Sequence, residues 1–454
     1  MPPPTHQPWP HTPPAACVHE MEHSHAEARA QEHVALADGF LPLPVVDGAT
    51  LTYERFLREF ALPRQPCIIT NIGSEWTARQ WCVKYLLSHE GVDTDYKVRM
   101  AVGSPQSARE QKTTVGAALK AVGQTADADG NPVPGEAHPF YLSAWDYVRG
   151  NSSALQEEFD VPRFFERAPS WLSSHVVLGN AATDMKWLYI GSRGSGSATH
   201  VDTNLSSAWL WVAQGRKEWV CAHGGDHALL TAGTGSRAYG YKSGGDESDG
   251  DGDGSDGGGG GDSSVPLPDF FSDGLFERWP HAKSARLYRG HQEPGEVCFN
   301  PSRCVHAVRN VGDHVTVSLT HNFVDASNLP DVLSDATRSL HEELLPMAKS
   351  LKPKTVIKTL AKSLQISKVA LVQTLLELPD LLTDERIEEV IRQAAEGAVG
   401  DDESGPEAVE QLLGGELQTK LKEVRPAFRE AALALRDALR LQGMDEKTRK
   451  WLEK

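Results

Sequence analysis

The fold turns on MKWLYIGSRGSGSATHVDTNLSSAWLWVAQGRKEWVCA, residues 185–222. MKWLYI and SATHVD are short strand candidates joined by a glycine- and serine-rich turn. AWLWVAQGRKEWVCA supplies two more around Gln214-Gly215. Strands this short, with turns this close, build a β-sandwich or an open barrel. Residues i and i+2 of a strand face the same way, so His200 and Asp202 project side by side. An imidazole and a carboxylate are two of the three ligands of a mononuclear facial site that leaves coordination positions open. Taken alone, the pair also fits a polar strand end hydrogen-bonded to nearby backbone.

Working outward, PGEVCFNPSRCVHAVRN offers the third ligand. Gly295 permits a tight turn, Glu296–Phe299 form a short strand, and His306 begins the next rise. Two imidazoles, a carboxylate and hard open positions favour Fe(II). Lys217 lies among aromatic and aliphatic residues, and strand alternation sends either Lys217 or Arg216 inward. An ammonium turned into a barrel needs an anion. A dicarboxylic cosubstrate supplies one if it chelates iron at one end and presents its far carboxylate to the lysine.

The flanks divide by composition. Residues 1–35 are rich in proline and histidine and lack a basic stretch followed by an apolar core, so they read as a disordered tail and not as a secretory signal. Residues 36–139 hold mixed α/β elements: a helix over Tyr53–Phe60, a strand at Cys67–Thr70, a helical piece over Arg79–Ser88, a strand in DYKVRMAV and a turn-rich Gly123–Gly135. The span 140–335 carries the catalytic candidates, with strands at Phe140–Leu142, Arg286–Tyr288, GEVCFNP and HVTVSLTHNF. Inside it, Lys242–Ser264 is an acidic glycine tract. It lacks the distal acid and flanking elements of a calcium loop and reads as a flexible insertion.

From about Ser339 the period becomes helical, so residues 336–454 form an α-helical extension. VIKTLAKSLQISKVALVQTLLEL reads as one helix, and the last helix is expected to kink or restart at Pro426. Leu360, Leu364, Leu371, Leu375 and Leu378 recur at helical spacing, either to pack on the barrel or to form a homodimer seam. The expected fold is therefore a mainly β core, a double-stranded β-helix of cupin or jelly-roll type, with N-terminal α/β elements and a C-terminal helical extension.

The 454 residues carry 45 Lys and Arg against 62 Asp and Glu, a formal charge of -17. Such a chain has no bulk attraction for nucleic acid; a protein or peptide partner with a basic segment is electrostatically easier. Six cysteines without a CxxC pair argue against a disulfide framework and for a reducing compartment, hence a cytoplasmic or nuclear location. No apolar run is long enough to cross a bilayer.

YIGSRGSGSATHVD, SSAWLWVAQGRKEW, PGEVCFNPSRCVHAVRN and THNFVDASNLP together resemble the JmjC-domain family of cupin-fold oxygenases that depend on Fe(II) and 2-oxoglutarate. The nearest likeness is to the small JmjC protein hydroxylases, the group of JmjC-domain proteins six and four. The resemblance runs from about Phe140 to Pro330, and more weakly back to Val46. It implies that His200, Asp202 and His306 bind iron. It implies that Lys217, Ser197, Tyr141 and Thr320 hold the far carboxylate of 2-oxoglutarate, with Asn322 and Asn328 in the same signature. Some relatives have asparagine where this chain has Leu210, and SRC before Val305 replaces a glycine- and tryptophan-rich turn, bringing Cys304 near the metal. The implied reaction consumes O2 and 2-oxoglutarate, releases succinate and CO2, and hydroxylates a C–H bond, of a protein side chain or of an N-methyl group that is then lost. A catalytically silent β-barrel that binds partners is the non-enzymatic alternative.

Overall fold

The computed structural model describes residues 39–124, 139–169, 172, 185–232, 267–363, 367–396 and 405–441. The N-terminal tail 1–35 and the acidic tract 242–264 lie outside the described residues. Fourteen strands are described: β1 Leu41–Pro42, β2 Val45–Asp47, β3 Cys67–Thr70, β4 Lys97–Val102, β5 Arg109–Thr114, β6 Phe140–Trp145, β7 Lys186–Gly191, β8 Gly196–Val201, β9 Ser207–Gln214, β10 Lys217–Ala222, β11 Leu287–Gln292, β12 Val297–Asn300, β13 Val305–Asn310 and β14 Thr316–Phe323. They form a nine-stranded sheet, β2-β3-β12-β9-β14-β7-β6-β4-β5, and a five-stranded sheet, β1-β11-β10-β13-β8.

From β7 onward the chain changes sheet at nearly every turn. β7, β9, β12 and β14 belong to the larger sheet, and β8, β10, β11 and β13 to the smaller. That winding is the double-stranded β-helix expected from the sequence. AWLWVAQGRKEWVCA looks like a hairpin, yet β9 and β10 do not pair with each other. Gly215 makes the crossing: its φ is +83°, and a Cβ there would press on Thr316. A left-handed backbone with no room for a side chain requires glycine.

The barrel interior is packed by Leu210 and Val212 of β9, Trp219 and Cys221 of β10, Tyr288 of β11, Cys298 of β12, and Cys304 and Val308 around β13. The opposite face of the larger sheet is also buried, because Trp209, Trp211, Leu319, Val317, Leu188 and Ile190 join the cluster formed with the helices. β9 is therefore covered on both faces, which explains an unbroken apolar run where a half-exposed strand would alternate.

The helices are α1 Tyr53–Phe56, α2 Val83–Ser88, α3 Val115–Gly123, α4 His227–Thr231, α5 Leu275–Arg278, α6 Leu329–Ser339, α7 Leu345–Ser350, α8 Pro353–Ser363, α9 Lys368–Glu377, α10 Asp384–Glu396 and α11 Gly405–Ala438. α11 packs across α6 and α10. No described helix is long and apolar enough to cross a membrane.

Several sequence expectations need correction. Helix begins at Leu329, ten residues before Ser339, because Pro330 sits in the first turn, where its missing N–H has no intrahelical partner to lose. The single helix read through VIKTLAKSLQISKVALVQTLLEL is two, with α9 capped by Ser367, whose side chain accepts from Ala370 N at 3.0 Å. α11 runs through Pro426 without interruption. Leu421 and Phe428, both buried, anchor it on either side of the proline, and their packing outweighs one lost backbone bond. β5, with its polar REQKTT, was not expected at all; it pairs with β4 along six residues. Leu371, Leu375 and Leu378 are buried in the protein's own core and Leu360 packs against it; Leu364 lies outside the described residues.

Candidate metal centre

Three side chains converge at one end of the barrel. His200 is the penultimate residue of β8, Asp202 follows the strand in extended backbone, and His306 stands opposite on β13, paired with His200 across the ladder. Ligand atoms of the three all lie within 4.8 Å of one another. His200 Nε2 is 3.9 Å from Asp202 Oδ1, and His306 Nε2 is 4.0 Å from the same oxygen. Each ring is fixed from behind. His200 Nδ1 lies 2.7 Å from the Ala198 carbonyl and His306 Nδ1 lies 3.0 Å from the Cys304 carbonyl. A carbonyl can only accept, so both Nδ1 atoms carry a proton and both Nε2 atoms, the ones a metal would bind, face the centre. Two neutral imidazoles and one carboxylate on one side suit Fe(II) and leave the other side open. His200 is 31% exposed and His306 only 4%, so the opening lies at His200.

Charge among these groups is set by their closeness. Burial lowers the His200 pKa, and the neighbouring His306 lowers it further, to about 4. Burial is the largest single effect on His306 and opposes its charge, but the Asp202 carboxylate together with the Cys304 side chain and carbonyl overcomes it and raises the group to about 9. Among themselves, the three ligands favour holding one proton, in the place where a divalent cation would sit.

A bulge sets the next residue. Between the pairs His306–His200 and Val308–Ser197, β8 advances three residues while β13 advances two. The extra residue restores parity, so Ser197 faces the interior with His200 although three positions separate them. Thr199 turns outward, its hydroxyl accepting from Phe270 N at 3.2 Å.

The choice between Lys217 and Arg216 is decided. Lys217 points inward and is fully buried; Arg216 turns to the surface and pairs with Glu293 at 2.7 Å. Lys217 Nζ donates to Asn310 Oδ1 at 3.0 Å and lies 5.7 Å from the centre of the Tyr141 ring. Among the described residues no carboxylate pairs with it, and burial lowers its pKa to about 7. Thr320 is on the same interior surface, opposite Leu210, with its hydroxyl donating to the Trp209 carbonyl at 3.3 Å. The structure thus gathers Lys217 and Tyr141, and places Ser197 and Thr320 on the walls facing the same space.

Asn322 and Asn328 do other work. Asn322 Nδ2 donates to Ser206 Oγ at 3.0 Å, and Asn328 closes the turn after β14 through Phe323 O and Asp325 N. Cys304 lies behind His306, its thiol directed at Ala222 O at 3.2 Å. Sequence reasoning missed Asn310 and Gln292. Gln292 closes the barrel end: it accepts from Trp219 Nε1 at 2.9 Å and donates to Leu210 O and Glu296 O at 2.7 and 2.8 Å. Asn310 was detectable, because His306, Val308 and Asn310 alternate along one strand and share its inner face.

The cupin-like domain family matches this chain over residues 53–328. The chain is 25% identical over 305 residues to the 2-oxoglutarate and iron-dependent oxygenase JMJD4 of Mus musculus, covering 62% of this chain and 60% of that protein. It is 27% identical over 299 residues to the bifunctional arginine demethylase and lysyl-hydroxylase psr-1 of Caenorhabditis elegans, covering 63% and 62%. It is 30% identical over 171 residues to the arginine-specific demethylase JMJ22 of Arabidopsis thaliana, covering 37% and 29%. The chain thus spans less than two thirds of the length of each of these relatives.

Proposed function

The chain belongs to the cupin-like domain family, and from that premise we propose that it is an Fe(II)- and 2-oxoglutarate-dependent dioxygenase that hydroxylates a side chain of a protein substrate. The observation that carries this reading is a pairing of two features in one barrel. His200, Asp202 and His306 form an open metal face, and a fully buried Lys217, with no carboxylate paired to it among the described residues, stands deeper in the same interior. Lys217 pairs with Asn310, and Cys221, four residues on, pairs with His306. Four strand residues span about 13 Å, which a lysine arm and a five-carbon dicarboxylate extending from the metal can fill together.

Each residue has a definable task. His200 and His306 present neutral nitrogens because backbone carbonyls hold their other protons. Asp202 supplies the single negative ligand, which leaves net positive charge to attract a chelating keto acid. Lys217 binds the far carboxylate, with Tyr141 and Ser197 as hydroxyl donors and Thr320 joining them by turning its hydroxyl from the Trp209 carbonyl. Leu210, Val212, Trp219 and Val308 keep water from this space. Iron loaded with cosubstrate and O2 supplies oxidative decarboxylation of 2-oxoglutarate coupled to oxygen insertion into a C–H bond. No side-chain general base is needed.

Removal of an N-methyl group from arginine or lysine is the second reading, favoured by the demethylase names of the psr-1 and JMJ22 relatives. The acidic charge of the chain supports a substrate with a basic segment. The test is succinate release from purified protein supplied with iron, ascorbate, 2-oxoglutarate and peptides from a cell extract, with Asp202→Ala as control. Peptides that gain one oxygen atom support hydroxylation; peptides that lose a methyl group with formaldehyde release transfer the assignment to demethylation. Modified nucleosides without modified peptides would remove the protein-substrate reading.

A further inference from the structure

Behind Lys217 lies a directed chain of hydrogen bonds. Lys217 Nζ donates to Asn310 Oδ1 at 3.0 Å, Asn310 Nδ2 donates to Ser195 Oγ at 2.9 Å, and Ser195 Oγ donates to Ser192 O at 2.7 Å. The direction is fixed from its far end. A carbonyl only accepts, so the Ser195 hydroxyl proton goes to Ser192 and its oxygen must accept from Asn310. The amide is thereby oriented with its NH2 toward Ser195 and its oxygen toward the lysine. The backbone of the pair is locked as well: Asn310 N donates to Ser195 O at 2.8 Å, and Gly194 N donates to Asn310 O at 2.8 Å. Gly191 provides the seat, since a methyl group there would run into Ser195 Oγ, the Tyr141 ring and Asn310 Nδ2. All three side chains of the relay, Lys217, Asn310 and Ser195, are almost fully buried.

We infer that Asn310 is a positioning residue, and that with Ser195 it forms a neutral relay holding the Lys217 ammonium toward the barrel interior while leaving its charge unmatched for a ligand carboxylate. The inference rests on the proposed use of 2-oxoglutarate. Its logic is electrostatic. A buried lysine is held most strongly by an aspartate or glutamate, but such a partner would neutralise the charge the ligand requires. An amide oxygen gives direction without charge. Among the described residues, the ionisable groups beside Lys217 are the Cys298 thiol of β12 and the Tyr141 phenol of β6, and Asn310 on β13 is neutral. Burial holds the lysine near pH 7 in its affinity for a proton, so a dicarboxylate entering beside it draws a proton onto it.

The test compares wild type with Asn310→Asp, an isosteric change that adds one negative charge. Each Fe(II)-loaded protein is titrated anaerobically with 2-oxoglutarate by calorimetry in buffers of different ionisation enthalpy. Wild type should take up a fraction of a proton on binding at neutral pH and above. In Asn310→Asp the new carboxylate charges Lys217 in advance and competes with the ligand. Proton uptake should disappear and affinity should fall about tenfold or more, while iron affinity stays unchanged. Ser195→Ala, which keeps the lysine and the amide but removes the acceptor that orients the amide, should weaken 2-oxoglutarate severalfold and keeps the test decisive if Asn310→Asp does not fold. Wild-type affinity and proton uptake in the variants would overturn the relay alone. Failure of the iron-loaded wild type to bind 2-oxoglutarate would overturn the relay and the proposed cosubstrate together.

Discussion

Replacing Lys217 by methionine removes one charge and keeps an unbranched chain, one atom shorter. Burial lowers the lysine from its ordinary 10.5 to about 7. At about 1.4 kcal/mol for each tenfold change in proton affinity, the charged form costs at most about 5 kcal/mol, and local relaxation reduces that to an expected 2–4 kcal/mol, roughly. The sign follows from the depressed value. Below about pH 7 the lysine is charged in the folded and the unfolded chain, and the full penalty of burying it applies. Between about 7 and 10.5 the folded protein has lost the proton and the unfolded chain retains it, so wild-type stability rises with pH. Lys217→Met lacks this dependence. It should exceed wild type in stability at neutral pH, and the difference should shrink as pH approaches 10.5. The lost contact to a far carboxylate is worth about 1.5–3 kcal/mol, so the apparent affinity for 2-oxoglutarate should fall roughly tenfold to a few hundredfold. Urea unfolding across this pH range gives the first quantity, and succinate release against cosubstrate concentration gives the second. A stability difference independent of pH refutes the buried-charge argument. A normal saturation curve removes Lys217 from the cosubstrate site. Arg216→Ala, whose side chain pairs outward with Glu293, should leave the saturation curve unchanged.

Asp202→Ala should abolish stoichiometric binding of Fe(II), or of Mn(II) used as a redox-stable stand-in, in an anaerobic titration. Wild-type metal binding should release about one proton near neutral pH, because His306 alone holds one up to about pH 9; calorimetry in two buffers reads this directly, and its absence would show that the ligands do not share a proton. Gly191→Ala should weaken 2-oxoglutarate and destabilise the protein, since the added methyl displaces Tyr141, Ser195 and Asn310, while iron stoichiometry is retained. Glu166→Gln removes the charge from a part-buried pair in which Glu166 Oε1 meets His321 Nδ1 at 2.7 Å; a loss of about 1–3 kcal/mol in unfolding free energy with unchanged iron affinity is expected. Equal stability would mean that the carboxylate charge is not what holds His321.

The barrel was legible because its sequence obeys short-range rules. Short apolar runs and close turns marked β7 to β10 and β12 to β14, and the HxD spacing placed two ligands on one face. The helical tail was legible by period, but its joints were not. Proline normally ends a helix, and Pro426 does not, because Leu421 and Phe428 bury enough surface on either side to carry α11 across the defect. β5 escaped notice for the converse reason. An edge strand of REQKTT has little apolar signal, and what fixes it is the ladder to β4, a partner that no local pattern announces.

Within the site, the boundary between legible and hidden falls where a side chain's partner lies far along the chain. The three metal ligands follow from residue type and strand parity. Ser197 does not: strict alternation from His200 would turn it outward, and only the extra residue in β8 brings it in. The direction of Lys217 is a similar case, since Lys217 and Arg216 are equivalent in a periodic reading. Two distant pairings separate them. Arg216 finds Glu293 at the surface, while Lys217 finds Asn310, placed opposite it by the register of β10 on β13. That register is the same one that sets Cys221 beside His306. A single ladder therefore fixes both the height of the His-Asp-His face and the height of the ammonium. The distance between them is a property of the strand pair, and any one-residue slip of β13 against β10 would turn Asn310 away from Lys217 and His306 away from Asp202 in one step.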